Sequence, residues 1–169
     1  MFFWSENAHK IIPGIWVGNY KSALDKTFLT ENNIQVVVNC TPEYPFISSK
    51  HIEKLRVPVR DSMLEKDFLL MEYYFKLIIP YLVKKYKSNI NILIHCHAGK
   101  QRSCILIAAL LKTLLDTKCF VIKSIPSSLT PKAQFFQIVQ YIVNKRPQAF
   151  TYGFKINFRS TYERYFCID

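Results

Sequence analysis

Residues Asn91 to Leu111, NILIHCHAGKQRSCILIAALL, constrain the fold more than any other stretch of this chain. A short apolar run, Ile92 to Ile94, enters a tight polar loop. A longer apolar run, Cys104 to Leu111, leaves it. The first run is too short for a helix and reads as a strand, while the second continues at helical length to about Asp116. A helix this apolar has to be buried, so other elements must pack around it. The stretch is therefore a strand–loop–helix unit at the centre of a layered domain.

The rest of the chain supplies the layers. Its 169 residues suit one domain. Ile34 to Val38, IQVVV, is a nearly continuous apolar run of the kind found in strands buried on both faces. Ile11 to Tyr20 reads as two strands around a Pro-Gly turn, and Lys21 to Glu31 as a short helix. Ile52 to Val59 is a further strand, with Pro58 marking its end or an edge. Met63 to Lys87 has the period of a long helix, which Pro80 should kink or split. Cys119 to Ile125 is extended or a short helix; periodicity does not decide. Thr130-Pro131 opens a helix that runs to Lys145 and ends at Arg146-Pro147, and the aromatic spacing in Tyr152 to Asp169 predicts a final helix. Phe2, Phe3 and Trp4 form an N-terminal arm over residues 1–10, folded onto the body or set against another subunit in a homodimer.

Strands alternating with helices predict an α/β fold: a central, mostly parallel twisted sheet flanked by helices, in a single domain over 11–169. Ligands of such sheets sit beyond the carboxyl ends of the strands. Both Asp61 and Cys96 lie directly after predicted strands, so both should reach one edge.

The net charge of +11 favours anionic partners. The five cysteines are odd in number and match no zinc ligand spacing. No leader is evident, and no apolar run is long enough to span a bilayer. The expectation is an intracellular, cytoplasmic protein with free thiols and no bound metal or other cofactor.

The loop Cys96 to Ser103 carries the chemistry. It runs into a helix N-terminus, where backbone N–H groups lack partners and can converge on an anion. Gly99 permits a sharp turn. Arg102 can hold two oxygens of a phosphate at once. Cys96 lies at the base of this positive basket, which favours thiolate over thiol. Ser103 can donate to the sulfur, and His95 can hold the loop through a backbone contact. His97, Ala98, Lys100 and Gln101 complete the candidate phosphate-binding and supporting residues.

HCHAGKQRS resembles the His-Cys-x-x-Gly-x-x-Arg-Ser/Thr signature of the cysteine-dependent protein tyrosine phosphatases. IIPGIWVGNYKSALD, NIQVVVNCT, LRVPVRDS and NKRPQAFTYGFKINFRSTYERYF resemble, in order, other segments of their dual-specificity branch. The small size is similar to that of compact viral members, for which host cell or virion would be the location. The resemblance implies a phosphoric monoester hydrolase that removes phosphate from phosphotyrosine, phosphoserine and phosphothreonine in proteins. Cys96 would form a phosphocysteine, Arg102 would stabilise the transferring group, and Asp61 would be the general acid, with Glu65 and Asp67 as fallback acids. Cys40, at the end of a neighbouring strand, is the candidate disulfide partner of an oxidised Cys96. His97 and Lys100 are cationic or potentially cationic where many protein-directed members are neutral. They keep a phosphoinositide phosphatase and an RNA 5′-phosphatase open as alternatives. A non-catalytic phosphate reader is a further one, disfavoured by the presence of Cys96, Arg102 and Asp61 together.

Overall fold

A computed structural model describes residues 6–151 and 155–169. The arm residues Phe2, Phe3 and Trp4 lie outside the described residues, as do 152–154. The elements are β1 (Ala8–Ile12), β2 (Ile15–Gly18), α1 (Tyr20–Ala23), α2 (Lys26–Glu31), β3 (Ile34–Asn39), β4 (Glu53–Arg56), α3 (Glu65–Lys87), β5 (Asn91–His95), α4 (Arg102–Asp116), α5 (Pro131–Lys145) and α6 (Arg159–Tyr165). One five-stranded sheet has the order β1-β2-β5-β3-β4. Only the β1–β2 hairpin is antiparallel; β5 runs parallel to both β2 and β3, and β4 parallel to β3.

The alternation within the central strands builds two cores. Val36, Val38, Ile92 and Ile94 face the larger one, shared with α3, α4, α5 and α6. Val37 and Leu93 face the smaller one, closed by Ala23, Leu29 and Ile47. Every residue from Arg102 to Lys112 is buried, so α4 is covered on all sides as its composition demands. The α/β class with helices flanking a mostly parallel sheet therefore stands.

Several boundaries differ from the sequence reading, each for a local reason. The helix expected over Lys21 to Glu31 is two, because the Asp25 side chain accepts from the Phe28 amide at 3.1 Å and caps a new start. The predicted strand Ile52 to Val59 pairs only over Glu53–Arg56; Val57 to Val59 continue outside the ladder, around Pro58, which has no N–H to donate. Pro80 does not split α3. Pro80 and Lys76 are both exposed, so the Lys76 carbonyl that loses its helical donor can take water instead. Cys119 to Ile125 forms neither a strand nor a helix. The C-terminal helix is confined to Arg159–Tyr165.

Candidate active site

The loop between β5 and α4 is shaped by what its backbone carbonyls bind. The Cys96 carbonyl contacts His95 Nδ1 at 3.3 Å. The His97 carbonyl accepts from the Tyr20 amide at 3.2 Å, and the Lys100 carbonyl from the Phe150 amide at 2.7 Å. The Ala98 carbonyl accepts from Arg146 Nη2 at 3.2 Å and the Gly99 carbonyl from Arg146 Nε at 2.7 Å. The Gln101 carbonyl takes the Ile105 amide at 2.9 Å, the first bond of α4. Every acceptor from Cys96 to Gln101 is thus engaged. By contrast, among the described residues none of the backbone N–H groups from His97 to Arg102 donates to a protein acceptor. A loop with all its acceptors turned into the body and its donors without protein partners can surround an anion.

Gly99 makes this possible. It takes φ +64°, and a Cβ there would stand 2.5 Å from the Gly18 carbonyl oxygen and 2.6 Å from Arg146 Nη2. No other residue fits that turn against β2.

Cys96 is buried at the loop's base, with Sγ 3.2 Å from Ser103 Oγ. Arg102 is buried too: Nη1 donates to the Val59 carbonyl at 3.0 Å, and Nε has no protein partner. Arg102 and Asp61 line one open cleft of about 490 Å3, together with Pro42, Glu43, Arg60 and Ser62. Asp61 is exposed, and its Oδ1 accepts from Asn157 Nδ2 at 3.0 Å. Gln101 is buried beneath this pair: its Oε1 accepts from the Asn157 amide at 3.0 Å, and its Nε2 donates to the Lys155 carbonyl at 2.7 Å. Asn157 thereby joins the anion loop to Asp61.

The two fallback acids are engaged elsewhere. Glu65 pairs with Arg164 at 3.0 Å. Asp67 is buried in the first turn of α3, where it accepts from the Ser62 hydroxyl. His97 is exposed on the rim rather than in the floor: it pairs with the Tyr44 hydroxyl and stacks with the Tyr20 and Tyr44 rings, each at 5.5 Å. Arg56 fixes the Tyr44 segment, donating to the Thr41 carbonyl at 2.8 Å and the Tyr44 carbonyl at 3.0 Å. Lys100, within the loop, is half-buried. Cys40 is a fully buried free thiol, pushed up by burial and then by the nearby Cys96; Cys96 is free as well. Burial likewise raises the Cys104 thiol to about 12, so it stays protonated beside the Gly99 carbonyl, 3.4 Å away.

Sequence reasoning missed Asn157 and Arg146. Arg146 is 1% exposed, and it also meets His9 Nδ1 at 2.8 Å. Burial lowers its pKa from the usual arginine value, yet it keeps its charge and holds two loop carbonyls. The Arg-Pro pair after an apolar helix marks the helix end and belongs to the segment NKRPQAFTYGFKINFRSTYERYF that resembles the family, but neither reading gives Arg146 a contact with the loop. Arg146→Met removes both donors and is expected to cost about 3 kcal/mol of unfolding free energy in urea titrations. It should weaken binding of inorganic phosphate in parallel.

His95, buried at 1% exposure, has its pKa lowered from 6.5 to about 4. Burial is the main cause, opposed by the Cys96 carbonyl contact. Since the folded value lies below the unfolded one, the unfolded chain binds the extra proton between them. Stability from this group is full above pH 6.5 and declines as pH falls toward 4, on the order of 3 kcal/mol in all. Urea titrations of the wild-type chain and His95→Asn across that window should diverge by this amount. The carboxylates titrate in both and cancel.

With this geometry in hand, the chain can be set beside known proteins. The family described as "Dual specificity phosphatase, catalytic domain" matches residues 15–144. Human dual specificity protein phosphatase 8 is 31% identical over 140 residues, covering 78% of this chain and 21% of that protein. The chain thus spans about a fifth of that relative's length. Among solved structures, human DUSP28 superposes with a TM-score of 0.72 at 18% identity, covering 95% of this chain and 93% of the other. OH1 from Orf virus, titled a tyrosine phosphatase with triple substrate specificity, gives 0.69 at 17% identity, covering 96% and 87%. The match over most of the chain, on a loop folded as described, means that this protein belongs to the dual specificity phosphatase catalytic domain family.

Proposed function

We propose that the chain is a metal-independent phosphoric monoester hydrolase that removes phosphate from phosphotyrosine and from phosphoserine or phosphothreonine in proteins. One observation carries the proposal: the loop around Cys96 keeps its carbonyls bonded to the body and leaves its N–H groups to receive three phosphoryl oxygens. In this reading Cys96 Sγ attacks phosphorus and the ester oxygen leaves, giving a phosphocysteine. Ser103, already 3.2 Å from the sulfur, stabilises it when it departs in the second step. Arg102 and the loop amides hold the equatorial oxygens as charge spreads in the loose transition state. Asp61 gives its proton to the leaving oxygen, then takes one from the water that hydrolyses the phosphocysteine. Asn157 is the positioning residue for Asp61.

The cleft between Arg102 and Asp61 is open, which supports access for phosphoserine and phosphothreonine as well as phosphotyrosine. Polyphosphorylated lipid and triphosphorylated RNA ends are weaker readings. Of the two cationic positions that suggested them, His97 is engaged with Tyr44, and Lys100 alone remains. The test is a turnover panel in EDTA: phosphotyrosine and phosphothreonine peptides, phosphoinositides and 5′-triphosphorylated RNA. Peptide turnover at the highest kcat/KM is expected. A clear preference for lipid or RNA that is lost in Lys100→Ala would reassign the substrate, and no turnover of any arm would leave only a phosphate reader.

A further inference from the structure

Eight large apolar side chains stand exposed among the described residues, and five of them lie on α3 or just before it: Met63, Leu64, Leu69, Tyr73 and Leu77. The last three are spaced four apart on the helix and 51–56% exposed, so they form one continuous ridge. The buried side of the same helix is already complete: Met71, Phe75, Ile78 and Leu82 fill the main core. The ridge is therefore additional to what the fold needs, and a clustered apolar face of this kind marks an interaction surface.

The charges beside the ridge identify its partner. Lys66, Lys76, Lys84 and Lys87 are all exposed, at helical offsets of three, seven and ten from ridge residues, which sets them on the same side. The acidic residues of this helix are already occupied: Glu65 and Glu72 both bind Arg164, at 3.0 and 3.1 Å, Glu72 also meets Lys76 at 3.5 Å, and Asp67 is buried against the Ser62 hydroxyl. What remains outward is apolar and basic. A second copy of the chain would bring lysines against lysines, between molecules each carrying a net +11. An anionic lipid surface satisfies both components at once, taking Leu and Tyr side chains into its headgroup boundary and lysines against its charge. No helix of the described residues is long and apolar enough to cross a membrane, so α3 would lie on the surface.

We propose that the outward face of α3 docks the protein on anionic bilayers. Met63 and Leu64 follow Asp61 by two and three residues. Docking therefore holds the cleft close to the membrane surface, where it meets phosphorylated groups held there. The proposal does not rest on the catalytic reading.

The test is co-sedimentation with vesicles of phosphatidylcholine alone, or with about 30% phosphatidylserine, in buffer of about 0.1 M salt. Binding to the anionic vesicles should be at least about tenfold tighter than to the neutral ones. The triple variant Leu69→Gln, Tyr73→Gln, Leu77→Gln should lose about tenfold or more, and Lys66→Glu with Lys76→Glu a similar amount. Glutamine keeps helix propensity, and these positions are exposed, so both variants should retain wild-type turnover of a soluble aryl phosphate. Failure to pellet with anionic vesicles would overturn the proposal. So would unchanged pelleting of the glutamine variant, which would mean attraction by net charge alone. A wild-type dimer that the same variant converts to monomer would assign the ridge to a second copy instead. A wild-type protein that binds vesicles but turns over no phosphate would sink the catalytic reading and leave this one intact.

Discussion

Cys96→Ser is expected to turn over a generic aryl phosphate at least about 10⁴-fold more slowly than the wild-type chain, with phosphate binding retained. Serine is close in size to cysteine and can keep the bond to Ser103, so the fold and the loop's free N–H groups survive. Only the proposed nucleophile is lost, because a serine hydroxyl attacks phosphorus far less readily than a cysteine sulfur. Two measurements check this: steady-state turnover in EDTA, and acid-quenched mass spectrometry for a phosphate adduct on the Cys96 peptide in the wild-type protein. Full activity in Cys96→Ser would end the mechanism. An adduct on Cys40 or Cys104 would move the nucleophile, against the burial that holds both thiols protonated.

The second large effect belongs to Asp61, and it depends on the leaving group. A phenol that leaves poorly needs a proton in the transition state; a strongly acidic one does not. Asp61→Asn should therefore lower kcat for phenyl phosphate by about 10²–10⁴-fold, with little change in KM, and should slow an ester with an acidic leaving group far less. Asn157→Ala should show the same split on a smaller scale, because it removes the 3.0 Å bond that orients the carboxylate. A merely structural role for Asn157 would slow both substrates equally. Should Glu65→Gln or Asp67→Asn reproduce the split instead, the acid has been misassigned. Their bonds to Arg164 and Ser62 argue against that outcome.

What could be read from the sequence follows the range of the interactions. The unit Asn91–Asp116 was legible because strand, turn and helix are specified by residues next to one another, from Ile92 to Leu114. The shared edge of Asp61 and Cys96 followed from parallel strands alone. Arg146 and Asn157 were not legible. Arg146 reaches Gly99 across 47 positions and Asn157 reaches Asp61 across 96, and no neighbouring residue names the partner of either. The setting of His97 was not legible for the same reason: Tyr20, at the start of α1, and Tyr44, which stack with it, are distant in sequence. The split expected at Pro80 does not occur, since an exposed carbonyl one turn back can turn to water.

The tethering of the loop's carbonyls has a consequence for how this protein comes into being. The eight residues Cys96 to Ser103 hold the whole recognition sequence, yet their shape is imposed by Tyr20, Arg146 and Phe150, from the first and last thirds of the chain. An excised peptide spanning Asn91 to Asp116 would collapse onto its own donors and bind phosphate poorly. Competence arrives only when the chain ends have closed on the middle. Conversely, an oxyanion that binds only the loop shaped by those distant segments should raise the melting temperature of the entire domain by mass action, with inorganic phosphate or vanadate as the probe.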